Sequence, residues 1–213
     1  MEETVEHQTH VIMAAIVVVI VPILFLIMAK KPSLIPTPVQ NVFEIYIQFI
    51  DNLIKENMGE KGRKYFNLIA AIGLFVFFGN LLGMIPGFES PTANLNTTMA
   101  LALMVFLIYN IEGIRENGLS YFKHFLGPIP AMAPVFLIIE LLSHLSRPVT
   151  LALRLFANMT GGELVSVVLI MLVPFLVPLP VMLIHLIAVF LQTYVFVVLT
   201  TVYIAGAITH VEH

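Results

Sequence analysis

The stretch ELLSHLSRPVTLALRLFANMTGGE, residues Glu140–Glu163, decides how this chain folds and what it can do. It sits inside an apolar run reaching from Met132 to about Leu172, and it carries a guanidinium, Arg154, within that run. Charge is costly at the centre of a bilayer, about 2.5–3.5 kcal/mol on insertion scales and roughly 10 or more in simulations. A side chain kept there either reaches back to the interface along its own stem or meets a counter-charge. Its company favours the second. At about 100° per residue, Glu140, Arg147 and Asn158 lie within roughly 40° of Arg154 on a helical wheel, His144 at about 80°, and Glu163 on the far side. Such a stripe suits contact with other helices of the same bundle or with a partner that moves past it.

Length constrains the surroundings. At 1.5 Å per residue a helix over 132–172 would be about 60 Å long, twice the ~30 Å hydrocarbon thickness. A tight hairpin would need turn residues near 148–150, and only Pro148 is there. The run is therefore expected to be one long, strongly tilted helix, kinked near Pro148. Of the 213 residues, 59% are hydrophobic and 11% charged, whereas soluble domains carry about 25% charge. The alternating ten-residue segments of a membrane β-barrel are missing from the sequence. These features predict an all-α, polytopic membrane protein forming a single domain over residues 1–213.

Outward from the central run, Val11–Ala29 reads as a first span, preceded by acidic residues and followed at once by Lys30 and Lys31. The positive-inside rule then puts the N-terminus outside. Residues 40–57 place Phe43, Ile47, Ile50 and Ile54 opposite Glu44, Gln48, Asp51 and Lys55, the pattern of an amphipathic helix lying at the interface or against another helix. Lys61, Arg63 and Lys64 keep that segment inside. Spans follow over about 65–88 and 97–111, joined by ESPTANLN, a loop without basic residues as an outside loop should be. Asn80, Asn94, Asn96 and Thr98 read first as capping and interhelical hydrogen-bonding groups. The breaks GPIPAMAP (Gly127–Pro134) and PFLVPLP (Pro174–Pro180) frame the long run, and a last span over about 179–208 ends at an inside C-terminus. Five membrane helices and one interfacial helix result, the last two long.

The final segment has its own polar line, His185 and Gln192, two helical turns apart. His185 is either a hydrogen-bonded structural histidine or a proton relay partner for Glu163 on the preceding segment. Walker, dinucleotide, HExxH and Ser-His-Asp patterns are not found, so bond-making chemistry on this chain is not expected. With 0 cysteines there is no thiolate site, and the scattered basic residues argue against nucleic acid as a partner. Neither a cofactor nor a metal is expected. A permanent cation with acids and histidines at membrane depth remains, which is the makings of an ion path. Arginine does not release its proton, so Arg154 can attract a carboxylate or block protons but cannot carry them.

SRPVTLALRLFANMTGGE (Ser146–Glu163), GNLLGMIPGFESPTANLNTTMALAL (Gly79–Leu103) and IHLIAVFLQTYVFVVLTTVYI (Ile184–Ile204) resemble subunit a of the F-type ATP synthase membrane sector, in matching order over most of the chain. The resemblance implies a proton-translocating stator in an energy-coupling membrane, bacterial inner membrane being expected, against which a ring of c subunits turns. It also implies a b-subunit peripheral stalk and, through the complex, the F1 sector as partners. Arg154 would separate two aqueous half-channels, Asn158, Glu163, His185 and Gln192 would serve one of them, and Glu140 and Ser143 the opposite access path. Ala157 departs from the glycine common beside that asparagine. A stand-alone secondary transporter or channel is the alternative, and the inverted repeats common in such proteins are not seen.

Overall fold

The computed structural model describes residues 11–23, 38–85, 88–118, 121, 133–172 and 178–208. Among them every regular element is helical: α1 (Val11–Ile23), α2 (Pro38–Met58), α3 (Phe66–Leu82), α4 (Leu95–Asn117), α5 (Ala133–Leu172) and α6 (Pro178–Ile208), with 3-10 turns at Gly59–Tyr65 and Pro91–Ala93. The all-α membrane architecture expected from the apolar periodicity is the one found. Helical stretches at Gln40–Leu82, Leu95–Asn117, Val135–Leu172 and Pro180–Ile208 are long and apolar enough to cross a bilayer, and α1 is a shorter apolar helix. Of the expected breaks Gly127–Pro134 and Pro174–Pro180, residues 127–132 and 174–177 lie outside the described residues, as do the polar N-terminus, Lys30, Lys31 and the C-terminus, while 133–134 already begin the helix α5 and 178–180 the helix α6.

Helix α3 is apolar all round and is accordingly packed on several sides, with Ile69, Ile72 and Val76 buried between neighbours. Helix α2 lays Ile50, Leu53 and Ile54 into that core, and its Tyr46 hydroxyl donates to the Ala70 carbonyl at 2.7 Å. Ile47, expected on the packed face, is exposed; Tyr46 and Phe49 take that role instead. The amphipathic segment thus rests its apolar stripe on α3 and α6.

Helix α4 starts where Asn94 caps it, the side-chain oxygen accepting from Asn96 N at 2.9 Å. As a helix it covers the expected span of about 97–111 and continues to Asn117, where Gly118 stops it at φ +55°. The charged residues there prolong the helix. Glu112, whose side chain is 14% exposed, accepts from Tyr65 Oη at 2.6 Å, Lys64 Nζ at 3.1 Å and Arg115 Nη1 at 2.9 Å, while Lys64 also reaches Glu116 at 2.5 Å. This hub ties the turn after α2 to the end of α4. Glu112→Gln is expected to lower the thermal stability of the purified complex by about 1–2 kcal/mol, since three donors lose a charged acceptor together. Raising the salt concentration should narrow the gap from wild type.

Helix α5 is 40 residues long with Pro148 inside it, about 60 Å against ~30 Å of hydrocarbon. It is one continuous helix. Only a narrow stripe of it packs inward: His144, Pro148, Leu151, Ala152, Leu155 and Met159 are buried, while Leu142, Leu145, Val149 and Leu153 stand exposed. Helix α6 covers that stripe with α4 and buries Val189, Phe196, Val197 and Ile204. Its buried hydroxyls cost little, because Thr193, Thr200 and Thr201 each donate to the carbonyl one turn back at 2.8–2.9 Å.

Candidate functional site

Two polar clusters lie on either side of Arg154 along α5. The first surrounds Glu163. The 3-10 turn at Pro91–Ala93 begins with Ser90, whose hydroxyl accepts from Thr92 N at 3.2 Å. That leaves the Ser90 amide pointing away from the turn, and it donates to Glu163 Oε1 at 3.1 Å. A Cβ on Gly83 would come 2.5 Å from that same carboxylate oxygen and 2.6 Å from Ser90 Cβ, so the missing side chain at 83 is what lets the acid in.

Behind this contact Ser90, Thr92 and Asn80 are fully buried and bonded to one another. Ser90 Oγ donates to the Gly79 carbonyl at 2.9 Å, Ser90 Oγ and Thr92 Oγ1 are 2.6 Å apart, and Thr92 Oγ1 is 2.6 Å from Asn80 Oδ1. If Thr92 donates to Asn80, both hydroxyl protons are spent and none remains between Ser90 and Thr92. Turning the Asn80 amide over supplies the missing proton from Nδ2, which is otherwise a buried donor without a partner among the described residues. The chain then runs one way, from the Asn80 amide to the Gly79 carbonyl.

His185 packs over Gly162 with its ring in the space a Cβ would need, which places it against the residue preceding Glu163. It is 7% exposed, and Gln192, two turns further along α6, is 6% exposed. Among the described residues His185 Nε2 and Gln192 Nε2 have no hydrogen-bond partner. Buried polar atoms in that condition call for a partner from elsewhere, water or another polypeptide.

The second cluster lies toward the opposite end of α5. Glu140 Oε1 is 4.0 Å from Arg147 Nη2, with both side chains about one-third exposed. The Arg147 guanidinium also lies 5.5 Å from the centroid of the Tyr203 ring. His144, Asn110, Tyr109 and Tyr121 meet beside it. Ser143 is exposed, and its carbonyl accepts from Ser146 Oγ at 2.7 Å.

Between the clusters, Arg154 is exposed on the outer face of α5 and, among the described residues, has no hydrogen bond or ion pair. Asn158, one turn on, is half-buried. At 1.5 Å per residue Arg154 stands about 14 Å from Glu163 and about 21 Å from Glu140 along the axis. The structure thus brings Glu163 and His185 to one end and Glu140 with Arg147 to the other, with the cation between them and unbonded among the described residues.

Ser90, Thr92, Asn110, Tyr109 and Tyr121 were not singled out as site residues by the sequence. Ser90 and Thr92 carried a usable signal, a Ser-Pro-Thr turn directly after an apolar span. The tyrosines and Asn110 carried none, since each reads as an ordinary helix or loop residue.

The geometry can be set beside known proteins. The family described as ATP synthase A chain matches residues 10–205. ATP synthase subunit a of Sulfurihydrogenibium sp. is 86% identical over 206 residues, covering 97% of this chain and 100% of that one. ATP synthase subunit a of Aquifex aeolicus is 56% identical over 214 residues, covering 96% and 99%. That of Hydrogenobaculum sp. is 49% identical over 217 residues, covering 98% and 100%. A match running nearly end to end, through both polar clusters and the cation between them, settles descent: the chain belongs to the ATP synthase A chain family.

Proposed function

We propose that this chain is the proton-translocating stator subunit a of a rotary F-type ATP synthase. Its partners are the c-subunit ring, the b-subunit peripheral stalk and, through the complex, the F1 sector. The carrying observation is Arg154, a permanent cation exposed on α5 beside the exposed apolar side chains of Val149 and Leu153, with no ion-pair partner among the described residues. Lipid does not tolerate that arrangement cheaply, whereas a carboxylate offered by the ring would satisfy it.

In this reading a proton enters from outside past Glu163, His185, Gln192 and Asn158 and neutralises a ring carboxylate released from Arg154. The neutral site then faces lipid, so the ring can turn. After nearly a full revolution the carboxylate returns, gives its proton to the inside path near Glu140 and Ser143, and pairs again with Arg154. Each charge moved across the membrane draws about 2.3 kcal/mol per 100 mV. The guanidinium separates the two paths because it attracts the anion and cannot pass a proton. The orientation that goes with this is N-terminus outside and C-terminus cytoplasmic, with the chain spanning a bacterial inner membrane several times.

The test is proton flux through the assembled membrane sector in vesicles. Glu163→Gln keeps the shape and the Ser90 contact but cannot ionise, and it is expected to lower flux at least about tenfold. Flux at the wild-type rate would remove Glu163 from the path. Flux from this chain reconstituted alone, without the ring, would favour a self-contained channel instead.

A further inference from the structure

The inward-packed stripe of α5 is apolar except at one point, His144. Its Nε2 lies 2.9 Å from Asn110 Oδ1 on α4, and the same oxygen accepts from Tyr121 Oη at 2.9 Å. The Asn110 amide cannot be the other way round, because its Nδ2 donates to the Phe106 carbonyl at 2.7 Å. An amide oxygen only accepts, so His144 Nε2 carries the proton. Two donors therefore converge on one acceptor. Such a junction cannot hand a proton on, since the oxygen between the donors has none to give. Although His144 stands one helical turn from Glu140, its bond to Asn110 is a clamp and not a wire.

We propose that His144 is a positioning residue: its bond to Asn110 sets the register of α5 against α4 and so aims Arg154 at the ring. The proposal rests on the reading of Arg154 given above. At the far end of the helix Thr160 Oγ1 donates to the Ala93 carbonyl at 3.1 Å and Glu163 accepts from the Ser90 amide, but the seam between those bonds and His144, made by Pro148, Leu151, Leu155 and Met159, packs through non-directional apolar contact, which tolerates small slides and rotations. A directional polar pair in an apolar seam does not, and fixing register is the best-attested use of such pairs. The junction also lies where the helix is easiest to bend, because Pro148 has no N–H to donate to the carbonyl of His144. Arg154 is ten residues on, about 15 Å along the axis and about 80° round it. A one-residue slip would turn the guanidinium by about 100°, and misplacement by ~1 Å can cost about 100-fold in rate. The rings around His144 brace it, Phe106 and Tyr109 lying 5.1 and 5.3 Å from the imidazole, centroid to centroid, and the Tyr109 hydroxyl adds a longer polar contact from α4, 3.4 Å from the same Nε2.

The experiment uses the assembled complex and the fact that the chain has 0 cysteines. Single cysteines at Thr150, Leu153, Phe156 and Ala157 are each paired with one cysteine beside the ring carboxylate, and disulfide yield is read along α5. With His144 intact, yields should peak at Thr150→Cys and Ala157→Cys, about 40° and 60° from Arg154 round the helix, be intermediate at Leu153→Cys, about 100° away, and be low at Phe156→Cys, about 160° away. His144→Leu should flatten that contrast at least twofold and lower ATP synthesis about tenfold. His144→Gln, which keeps an N–H donor at the same reach and cannot titrate, should restore both. An unchanged pattern in His144→Leu overturns the proposal, as does a His144→Gln complex that keeps the pattern and loses synthesis, because the imidazole would then be acting as a proton carrier. Should His144→Leu fail to assemble, Asn110→Leu removes the acceptor from the α4 side and is read in the same way. Absence of any ring cross-link in the unmutated background would instead contradict the placing of Arg154 against the ring, so the two failures are separable.

Discussion

Arg154→Ala is expected to lower proton-driven ATP synthesis at least about 100-fold, the scale on which removing one preorganised charge-stabilising group acts, in vesicles carrying the assembled complex. The complex itself should form and extract normally. The side chain is exposed and makes no bond within the described part of its own chain, and surface changes of that kind usually alter stability by no more than ~0.5 kcal/mol. The two magnitudes separate the functional account from a merely structural one. Arg154→Lys is expected to be nearly as damaging. Charge is retained, but the planar fork that matches a carboxylate is lost, and an ammonium is more strongly hydrated and able to shed its proton when desolvated. Wild-type synthesis in either variant would show that no carboxylate depends on the guanidinium.

The second large effect is expected one glycine before Glu163. A Cβ at Gly162 would fall on the His185 ring, and the ring has no room to ignore it. Gly162→Ala therefore pushes α6 away from α5 or turns His185 out of its buried site. Overpacking of this kind costs about 1–3 kcal/mol, and the displacement falls on two groups of the proposed outside path together. Proton flux through the membrane sector should drop at least about tenfold. The neighbouring glycine supplies the control. A Cβ at Gly161 meets nothing within 4 Å, so Gly161→Ala should leave flux near wild type and add up to about 1 kcal/mol of helix propensity. Equal behaviour of the two variants would mean that the His185 contact does not matter for transport.

Much of this molecule is legible in one dimension because a bilayer simplifies the code. Apolar length alone marks α5 and α6, and an arginine inside such a run stands out without any knowledge of its neighbours. The same simplicity hid other features. The expected span over about 97–111 gave no sign that the helix itself continues six residues further, where Glu112, Arg115 and Glu116 form a bonded hub with Lys64 and Tyr65. On α2, helical spacing named Ile47 as packed, whereas the larger Tyr46 and Phe49 turn toward α3 and α6 and leave it exposed. The Ser90 amide that meets Glu163 was invisible for a different reason. A backbone group has no letter in the sequence, and its availability depends on the Ser90 side chain taking over the turn. Tyr121 reaches Asn110, the acceptor for His144, because Gly113 lets the Tyr121 ring lie against α4, where a Cβ would come 2.5 Å from it. Long-range pairings of this sort follow from packing and not from spacing.

The most direct measurement is the distance, in the intact rotary complex, from the Arg154 guanidinium to the nearest carboxylate of another polypeptide. Approach to within about 4 Å, the range of an ion pair, is predicted for one ring subunit in each resting position. A guanidinium that meets only lipid or solvent, with every foreign acid well beyond that range throughout the cycle, would contradict the account.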